Sequence, residues 1–228
     1  MLDFSNSKIL IVGDVMLDKY YFGKVDRISP EAPVPIVNIQ KEESRLGGAS
    51  NVANNIVSLG GHSLLCGVIG HDLFGKEIER ISRHKNIDTF LLKPSSPTIT
   101  KARIIGGKQQ IVRVDYEDKS ELNADNKKLF RDTISRILPE YDILVISDYG
   151  KGLISEDLCR YLIKLAHKYD KKVIIDPKGK NWEKYSGADI VTPNVKELSD
   201  IVGYTVPNTD RAIEKAAREA ITNNHLTA

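Results

Sequence analysis

The stretch Gly47-Gly48-Ala49-Ser50-Asn51-Val52-Ala53, followed by Leu59-Gly60, decides the fold prediction. Two adjacent glycines allow the backbone to approach a ligand closely, because neither carries a Cβ atom. A helix is predicted to begin directly after them, with Asn51 in its first turn beside N–H groups that lack a helical acceptor. This geometry suits a polyhydroxylated, partly anionic small molecule. An ordinary strand–turn–helix connection explains the glycines equally well, so the neighbouring segments must decide between a ligand site and a plain connection.

Length and composition narrow the class of protein. The chain has 228 residues, of which 41% are hydrophobic and 28% charged, as is typical of a soluble globular protein with one large domain or two small ones. A net charge of +2 gives no argument for a nucleic-acid partner. No apolar run approaches the ~18 residues of a membrane span, so no membrane partner is expected. Cys66 and Cys159 lie in apolar segments, which indicates reduced core thiols and a cytoplasmic protein.

Strands and helices are predicted to alternate along most of the chain. Short apolar runs between turn signals predict buried strands, and apolar residues at helical spacing predict helices. The predicted strands are 9–12, 63–69, 143–146, 172–175 and 190–191, and the predicted helices are 51–59, 74–85, 126–138, 157–169, 197–202 and 210–223. This alternation predicts an α/β fold with a mostly parallel sheet covered on both faces.

Two segments do not fit the alternation. The segment 20–40 carries Pro30, Pro33 and Pro35, and proline holds its predecessor extended and is tolerated only at sheet edges. The segment 98–116 has the pattern of a hairpin with a turn at Gly106-Gly107. We expect both segments to form a small antiparallel lid on one rim of the sheet, within about 15–45 and 97–117.

Polar side chains follow four of the predicted strands. They are Asp14 and Asp18 after the first strand, Asp148, Tyr149 and Lys151 after 143–146, Asp176 and Lys178 after 172–175, and Asn194, Lys196 and Glu197 after 190–191. Polar residues populate such loops in any α/β protein. Ligands of open α/β sheets nevertheless bind beyond the carboxyl ends of the strands, so four such ends together predict one site.

The residue types indicate a sugar and a phosphate. Asp14 and Asn51 can accept from and donate to sugar hydroxyls. Asn194 and Glu197 are spaced to share a hydrated Mg²⁺ with phosphate oxygens, although the same spacing is that of a capping box. A set of cations either clamps a phosphate or forms a solvated face: Lys101, Arg103, Arg113, Lys151 and Lys178.

These motifs resemble those of the ribokinase-like (PfkB) carbohydrate kinases. The resemblance rests on the diglycine stretch, Asp14, Asp176-Pro177-Lys178 and Asn194-x-x-Glu197, and it runs from about Lys8 to the end of the chain. Five blocks resemble the members of this family that phosphorylate heptose 7-phosphate: Gly13-Asp14-Val15-Met16-Leu17-Asp18, Arg27-Ile28-Ser29-Pro30-Glu31-Ala32-Pro33-Val34-Pro35, Pro97-Thr98-Ile99-Thr100-Lys101, Ser147-Asp148-Tyr149-Gly150-Lys151-Gly152 and Asp176-Pro177-Lys178-Gly179.

The resemblance implies a fold, a reaction and a set of site residues. The fold would be a ribokinase-like three-layer sandwich over 8–228, and the reaction ATP-dependent phosphorylation of D-glycero-β-D-manno-heptose 7-phosphate at O1, in ADP-heptose and lipopolysaccharide core synthesis. The implied sugar-phosphate ligands are Asp14, Gly47, Gly48, Asn51, Lys101, Arg103, Arg113, Asp148 and Lys151. Asn194, Glu197 and Lys178 would hold ATP, and Glu197 and Asp176 would hold Mg²⁺. A homodimer through the lid and a fused nucleotidyltransferase domain are also implied.

One motif of the family does not occur in these 228 residues. Its kinases carry a later Gly-Ala-Gly-Asp, whose Asp is the general base. We therefore expect that this chain is a truncated product that lacks the C-terminal part of the fold and is inactive alone. The longer parent protein would carry the catalytic Asp beyond Ala228. Two alternatives stay open, namely a kinase for another sugar or a nucleoside, and a sugar-phosphate-binding module without transfer chemistry.

Overall fold

The computed structural model describes residues 3–118 and 122–227. Its strands are β1 (Lys8–Gly13), β2 (Val15–Ile28), β3 (Pro35–Gly48), β4 (His62–Val68), β5 (Asp88–Leu92), β6 (Thr100–Gly106), β7 (Gln109–Tyr116), β8 (Ile143–Ser147), β9 (Lys172–Asp176) and β10 (Ile190–Val191). Its α-helices are α1 (Ala49–Ser58), α2 (Leu73–His84), α3 (Ala124–Ile137), α4 (Glu156–Lys168), α5 (Val195–Val202) and α6 (Asp210–Asn223). No helix in these ranges is long and apolar enough to cross a membrane.

A six-stranded parallel sheet, in the order β10-β9-β8-β1-β4-β5, forms the middle layer. Leu10, Ile11 and Val12 in the middle of β1 point to alternating faces and are all fully buried, because helices cover both faces. Leu10 and Val12 pack with α3, α4, α5 and α6, whereas Ile11 packs with α1 and α2. The predicted three-layer α/β sandwich with a mostly parallel sheet is confirmed.

The predicted strands and helices of this sandwich are all present, with ends that differ by no more than two residues. Helix α6 has the predicted ends, while α1 and α5 each begin two residues earlier than predicted. One strand, β5, was not predicted. It lies at the edge of the sheet and its first residues, Asp88 and Thr89, are exposed, so it lacks the apolar run that marks a buried strand.

The lid is a separate four-stranded sheet in the order β3-β2-β6-β7. The pairs β2–β3 and β6–β7 are antiparallel as predicted, but β2 pairs with β6 in parallel, so the prediction of a purely antiparallel lid was wrong. Strands β2 and β6 enter the lid side by side and run in the same direction. Pro30 and Pro33 lie in the turn between β2 and β3, and Pro35 begins β3 at the sheet edge, which agrees with their exclusion from a central strand.

Asp72 joins the lid to the body of the protein. As N-cap of α2, its carboxylate accepts the N–H of Gly75 at 2.8 Å, and it also accepts the N–H of Thr98 at 2.7 Å and the Thr98 hydroxyl at 2.7 Å. Thr98 is buried directly before β6 and accepts the N–H of Gly70 through its hydroxyl. Burial alone would raise the pKa of Asp72, but the hydrogen bonds from Thr98 and Gly75 outweigh it and lower the pKa.

We predict that Asp72→Ala lowers the free energy of unfolding by about 2–3 kcal/mol, since it removes a helix cap and two further hydrogen bonds to a carboxylate. A carboxyl whose pKa is lowered by folding stabilises the protein above its unfolded pKa of about 4, and this stabilisation is lost as pH falls through the folded value. Urea denaturation at pH 7 and at pH 3 measures both effects, and the difference between wild type and variant should shrink at pH 3.

The control is Asn123→Ala, which removes the cap of α3. The Asn123 side chain accepts the N–H of Asn126 at 2.9 Å, and this bond lies entirely within the start of α3. Its loss should cost about 1 kcal/mol, independent of pH. Equal costs for the two variants at pH 7 would show that the contact between Asp72 and Thr98 adds nothing.

Candidate functional site

A cavity of about 640 Å³ lies between the lid and the body. The lid contributes residues of β2, β3 and β6, and the charged ones among them, Asp18, Arg45, Lys101 and Arg103, share one face of that sheet. The body contributes α1, α2 and the loop after β8 through Tyr149. The lining residues that carry polar groups or glycine are Asp18, Tyr20, Ser44, Arg45, Gly47, Gly48, Asn51, Asn54, Lys85, Lys101, Arg103 and Tyr149.

The two glycines allow β3 to return to the body at this point. A Cβ on Gly47 would lie 2.5 Å from the Asp18 carboxylate, and one on Gly48 would lie 2.4 Å from the carbonyl oxygen of Asp14. Gly48 also has a φ of 56°, in the left-handed region that favours glycine. The pair ends a strand instead of forming a loop, and α1 follows at once. Asn51 therefore lies in the first turn of α1, as predicted, and lines the cavity.

The cavity is lined by four cations and one carboxylate, namely Arg45, Lys85, Lys101 and Arg103 against Asp18. Arg103 donates to Asp18 at 2.6 Å. The ring of Tyr20 lies between two guanidinium groups, 4.9 Å from that of Arg45 and 5.2 Å from that of Arg103. Burial lowers the pKa of Lys101, whose ammonium group lies 5.6 Å from the ring of Tyr149. This excess of positive charge suits an anionic ligand.

Asp14 lies behind this cavity and organises the loop after β8. Its carboxylate is 2% exposed and accepts the N–H groups of Tyr149 at 2.8 Å and of Lys151 at 3.1 Å. Burial raises its pKa above the ordinary value of an aspartate. It lines a separate cavity of about 30 Å³, which has room for about one water molecule. Asp14 does not line the large cavity, and its predicted contact with sugar stays a prediction.

Asp148 also holds this loop, from the opposite side. It is 2% exposed, and its carboxylate accepts the Tyr185 hydroxyl at 2.7 Å and the N–H of Gly150 at 2.7 Å, and forms an ion pair with Lys184. The Tyr185 hydroxyl oxygen accepts the N–H of Lys178 at 2.9 Å. The side chain of Asp148 therefore connects the loop after β8 with the loop after β9, and does not line the cavity.

The residues predicted for ATP and metal meet at the ends of β9 and β10. Asn194 and Glu197 form a capping box at the start of α5, and Glu197 also accepts from the Lys178 ammonium at 2.9 Å. Burial, followed by the charge of Glu197, raises the pKa of Asp176. Burial, followed by the charge of Asp176, raises the pKa of Tyr149. Tyr149 also lines the cavity, so it connects this group with the lid side of the site.

Two of the predicted phosphate ligands do not line the cavity. Arg113 pairs across the β6–β7 ladder with Arg103 and therefore shares its face, but it does not line the cavity, and its guanidinium donates to Asp115 at 2.8 Å. Lys151 forms an ion pair with Glu117. Of the nine predicted sugar-phosphate ligands, the cavity is lined by Gly47, Gly48, Asn51, Lys101 and Arg103.

Sequence reasoning did not assign several lining residues to the site, namely Tyr20, Ser44, Arg45, Asn54 and Lys85. A signal for two of them exists. Asp18 and Tyr20 on β2 alternate with residues of the other face, and Asp18 pairs with both Arg45 and Lys101. Once the strand register is known, period-two alternation places Arg45 beside Lys101 and Arg103. Lys85 comes from α2, which is remote in sequence, and carries no such signal.

Comparison with known proteins identifies the family. Residues 6–226 match the description "pfkB family carbohydrate kinase". A "D-beta-D-heptose 7-phosphate kinase" of Bordetella bronchiseptica is 43% identical over 215 residues, which cover 94% of this chain and 67% of that protein. The chain belongs to the pfkB family of carbohydrate kinases.

Other members of the pfkB family agree in sequence or in fold. The "Bifunctional protein HldE" of Helicobacter pylori strain P12 is 48% identical over 193 residues, and the match covers 84% of this chain but 42% of that protein. The chain thus spans about two fifths of the length of its bifunctional relatives. Phosphofructokinase-2 from Escherichia coli superimposes with a TM-score of 0.75 at 21% identity, covering 97% of this chain and 71% of that one, which shows the shared fold.

We predict that Tyr185→Phe lowers the free energy of unfolding by about 2–3 kcal/mol. The change removes one oxygen and leaves the Asp148 carboxylate and the N–H of Lys178 each short of a buried partner. Thermal and urea denaturation of the variant measure this cost. Tyr161→Phe is the matched control, because the Tyr161 hydroxyl makes only a 3.5 Å contact with the carbonyl of Arg131. A cost for Tyr185→Phe no larger than that of the control would contradict this connection between the two loops.

Proposed function

We propose that the protein catalyses ATP-dependent phosphorylation of D-glycero-β-D-manno-heptose 7-phosphate at O1, giving the 1,7-bisphosphate. The observation that carries this proposal is the cavity under the lid, where a glycine pair and asparagines face a group of cations. Hydroxyl-binding amides beside phosphate-binding cations are what a phosphorylated sugar requires. The heptose kinase named among the relatives covers nearly the whole chain and supports this choice over an unphosphorylated sugar or a nucleoside.

The transfer itself needs little covalent chemistry from the protein. The O1 oxygen forms a bond to the γ-phosphorus of ATP as the bond between that phosphorus and the β–γ bridging oxygen breaks, and ADP leaves. The hydroxyl proton passes to a general base, which the family resemblance assigns to the Asp of a Gly-Ala-Gly-Asp motif. Within the chain, Asn51 and the glycine pair orient the sugar, and the lid excludes water that would otherwise accept the phosphoryl group.

Asp176 and Glu197 are the residues that we propose hold Mg²⁺ with ATP. The residues that the structure describes contain no group of three His, Cys, Asp or Glu able to bind a metal, but Mg²⁺ takes one or two carboxylates and completes its shell with water and phosphate oxygens. Two neighbouring carboxylates, one with a raised pKa, fit that donor set. Bound there, Mg²⁺ would neutralise charge on the phosphates, and Lys178 would contribute a further positive charge.

The wider role that we propose follows from the same relatives. Heptose 1,7-bisphosphate would feed the synthesis of ADP-heptose for the lipopolysaccharide core, in the cytoplasm where ATP is available. A nucleotidyltransferase domain fused to the kinase in the complete gene product would fit the bifunctional relatives.

We predict that Asn51→Ala lowers kcat/KM for heptose 7-phosphate about 10- to 100-fold in the complete gene product, because a hydrogen-bonding side chain in the first turn of α1 is lost. The assay follows ADP release with heptose 7-phosphate, the unphosphorylated heptose and a nucleoside as acceptors, and ³¹P NMR identifies the phosphorylated position.

Asn55→Ala is the matched control, since Asn55 is exposed on the same helix but does not line the cavity. It should keep kcat/KM within about twofold of wild type. The proposed reaction is contradicted if the wild-type protein phosphorylates the nucleoside or the unphosphorylated heptose in preference. An unchanged rate for Asn51→Ala would remove Asn51 from the sugar site and leave the reaction standing.

We also propose that the protein forms a homodimer through the outer face of the lid. Val112, Val114 and Tyr116 alternate along β7 with residues of the cavity face, so they lie together on the other face, and each is 39–48% exposed. Strand β7 is also an open edge of its sheet. An exposed apolar row beside an unpaired edge favours pairing with a second copy.

We predict that Val114→Lys converts the dimer to a monomer, because it places a charge in the middle of this row. Size-exclusion chromatography with light scattering measures the mass. Leu129→Lys introduces the same charge at an exposed leucine on α3 and should leave the dimer intact. A wild-type protein that is monomeric at micromolar concentration would rule out the dimer.

A further inference from the structure

The backbone of Lys178 is held at both of its polar groups by one side chain. Its N–H donates to the Tyr185 hydroxyl oxygen at 2.9 Å, and its carbonyl oxygen lies 3.1 Å from the same hydroxyl. Tyr185 is fully buried at the end of a short 3-10 turn, and Trp182 packs edge-on against its ring with the centroids 6.4 Å apart. A single side-chain oxygen therefore closes the loop after β9 on itself.

Asp148 orients the Tyr185 hydroxyl. This hydroxyl carries one proton and has two acceptors within reach, the Asp148 carboxylate at 2.7 Å and the Lys178 carbonyl at 3.1 Å. The carboxylate is nearer and charged, so it takes the proton, and the hydroxyl oxygen presents a lone pair to the N–H of Lys178. The ion pair with Lys184 compensates the charge of the buried carboxylate.

Asp148 also supports Lys178 from a second side. Its other carboxylate oxygen accepts the N–H of Gly150 at 2.7 Å. A Cβ on Gly150 would lie 3.7 Å from the Cγ atom of Lys178, which is an ordinary van der Waals distance, so the loop after β8 lies along the stem of this lysine. Both supports of Lys178, the hydroxyl at its backbone and the loop along its stem, are thus fixed by one buried carboxylate.

The far end of the Lys178 side chain lies among the groups that we assign to Mg²⁺ and ATP. Its ammonium group donates to Glu197 at 2.9 Å, and this hydrogen bond raises the pKa of Lys178, so the group stays charged. A lysine stem is flexible, and the ammonium at its end acts as a point charge. The position of that charge is therefore only as well defined as the backbone from which the stem extends.

We propose that Tyr185 is a positioning residue for the phosphate donor: its hydroxyl, oriented by Asp148, holds Lys178 where the ammonium group meets the ATP phosphates. This inference rests on the proposed function, which places ATP beside Lys178, Asp176 and Glu197. Tyr185 does not line the cavity under the lid, where the sugar is placed. Loss of its hydroxyl should therefore weaken binding of the donor and spare binding of the sugar.

A purely stabilising role of Tyr185 gives a different result. Destabilisation lowers the fraction of folded protein, which reduces the apparent kcat and the number of binding sites. The KM and the Kd of the molecules that remain folded do not change. A change in affinity for the donor alone therefore distinguishes positioning from stabilisation.

Two measurements on the complete gene product test the inference. Isothermal calorimetry gives the Kd of a non-hydrolysable ATP analogue with Mg²⁺, and steady-state assays give the KM for ATP and for heptose 7-phosphate. Tyr185→Phe should raise the Kd of the analogue and the KM for ATP about fivefold, because the Lys178 ammonium group is no longer held in place. The KM for heptose 7-phosphate should stay within about twofold of wild type.

Tyr161→Phe is the matched control, since it also removes a tyrosine hydroxyl. That hydroxyl makes only a 3.5 Å contact with the carbonyl of Arg131, so neither the Kd of the analogue nor either KM should change. Equal rises in the KM for ATP and for heptose 7-phosphate in Tyr185→Phe would mean general damage to the site and would overturn the inference.

A double-mutant cycle tests whether Tyr185 acts through Lys178. Lys178→Ala truncates a half-exposed side chain and should raise the Kd of the analogue about tenfold. In this background Tyr185→Phe should raise the Kd by less than about twofold, because the ammonium group that it positions is already absent. Fully additive effects overturn the inference. An unchanged Kd in Lys178→Ala does so as well, even if Tyr185→Phe does not fold.

The inference and the proposed function fail in different ways. A wild-type protein that phosphorylates another sugar refutes the proposed reaction, while a fivefold effect of Tyr185→Phe on the Kd of the analogue keeps the inference. A wild-type protein that phosphorylates heptose 7-phosphate, with the same Kd for the analogue in Tyr185→Phe, refutes the inference alone.

Discussion

The site depends on a steric constraint at Gly47 and Gly48. The lid hairpin leaves the body after Asp14 and returns at these glycines, and the two backbones approach so closely that a Cβ on Gly48 would lie 2.4 Å from the carbonyl oxygen of Asp14. This close approach places the start of α1 beside the cavity face of the lid. Any larger side chain would separate β2 from β3 at their base, and the amides of α1 would no longer face the cations of the lid.

Two buried carboxylates fix the loops of the body that lie next to the lid. Asp14 and Asp148 both lie under the loop after β8 and accept its N–H groups, and Asp148 extends the network through Tyr185 to the loop after β9. Hydrogen bonds to a buried carboxylate are strong and leaving one unmade is costly, so the loops have little freedom. Tyr149 is thereby held with its ring 5.6 Å from the Lys101 ammonium group and within the electrostatic influence of Asp176.

The charges of the site are arranged so that some cations are compensated and others are available. Arg45, Arg103, Arg113 and Lys151 each have a carboxylate partner, whereas Lys85 and Lys101 form no ion pair within the part of the chain that the structure describes. An excess of cations over carboxylates in the cavity makes its potential positive.

The sequence by itself determined the sandwich, because alternation of apolar runs and turn signals is a local property, and α6 and β10 have the ends that this pattern predicts. It also predicted Gly47, Gly48 and Asn51 as site residues, because a glycine pair directly before a predicted helix can be recognised from the order of the residues alone. Only the tertiary structure decided which charged groups face the cavity. Asp148 at a strand end turns into the body and Arg113 lies outside the cavity, while Lys85 reaches the cavity from a remote helix. The direction of a side chain depends on strand register and on partners far away in the chain, and the neighbouring residues in the sequence determine neither of them.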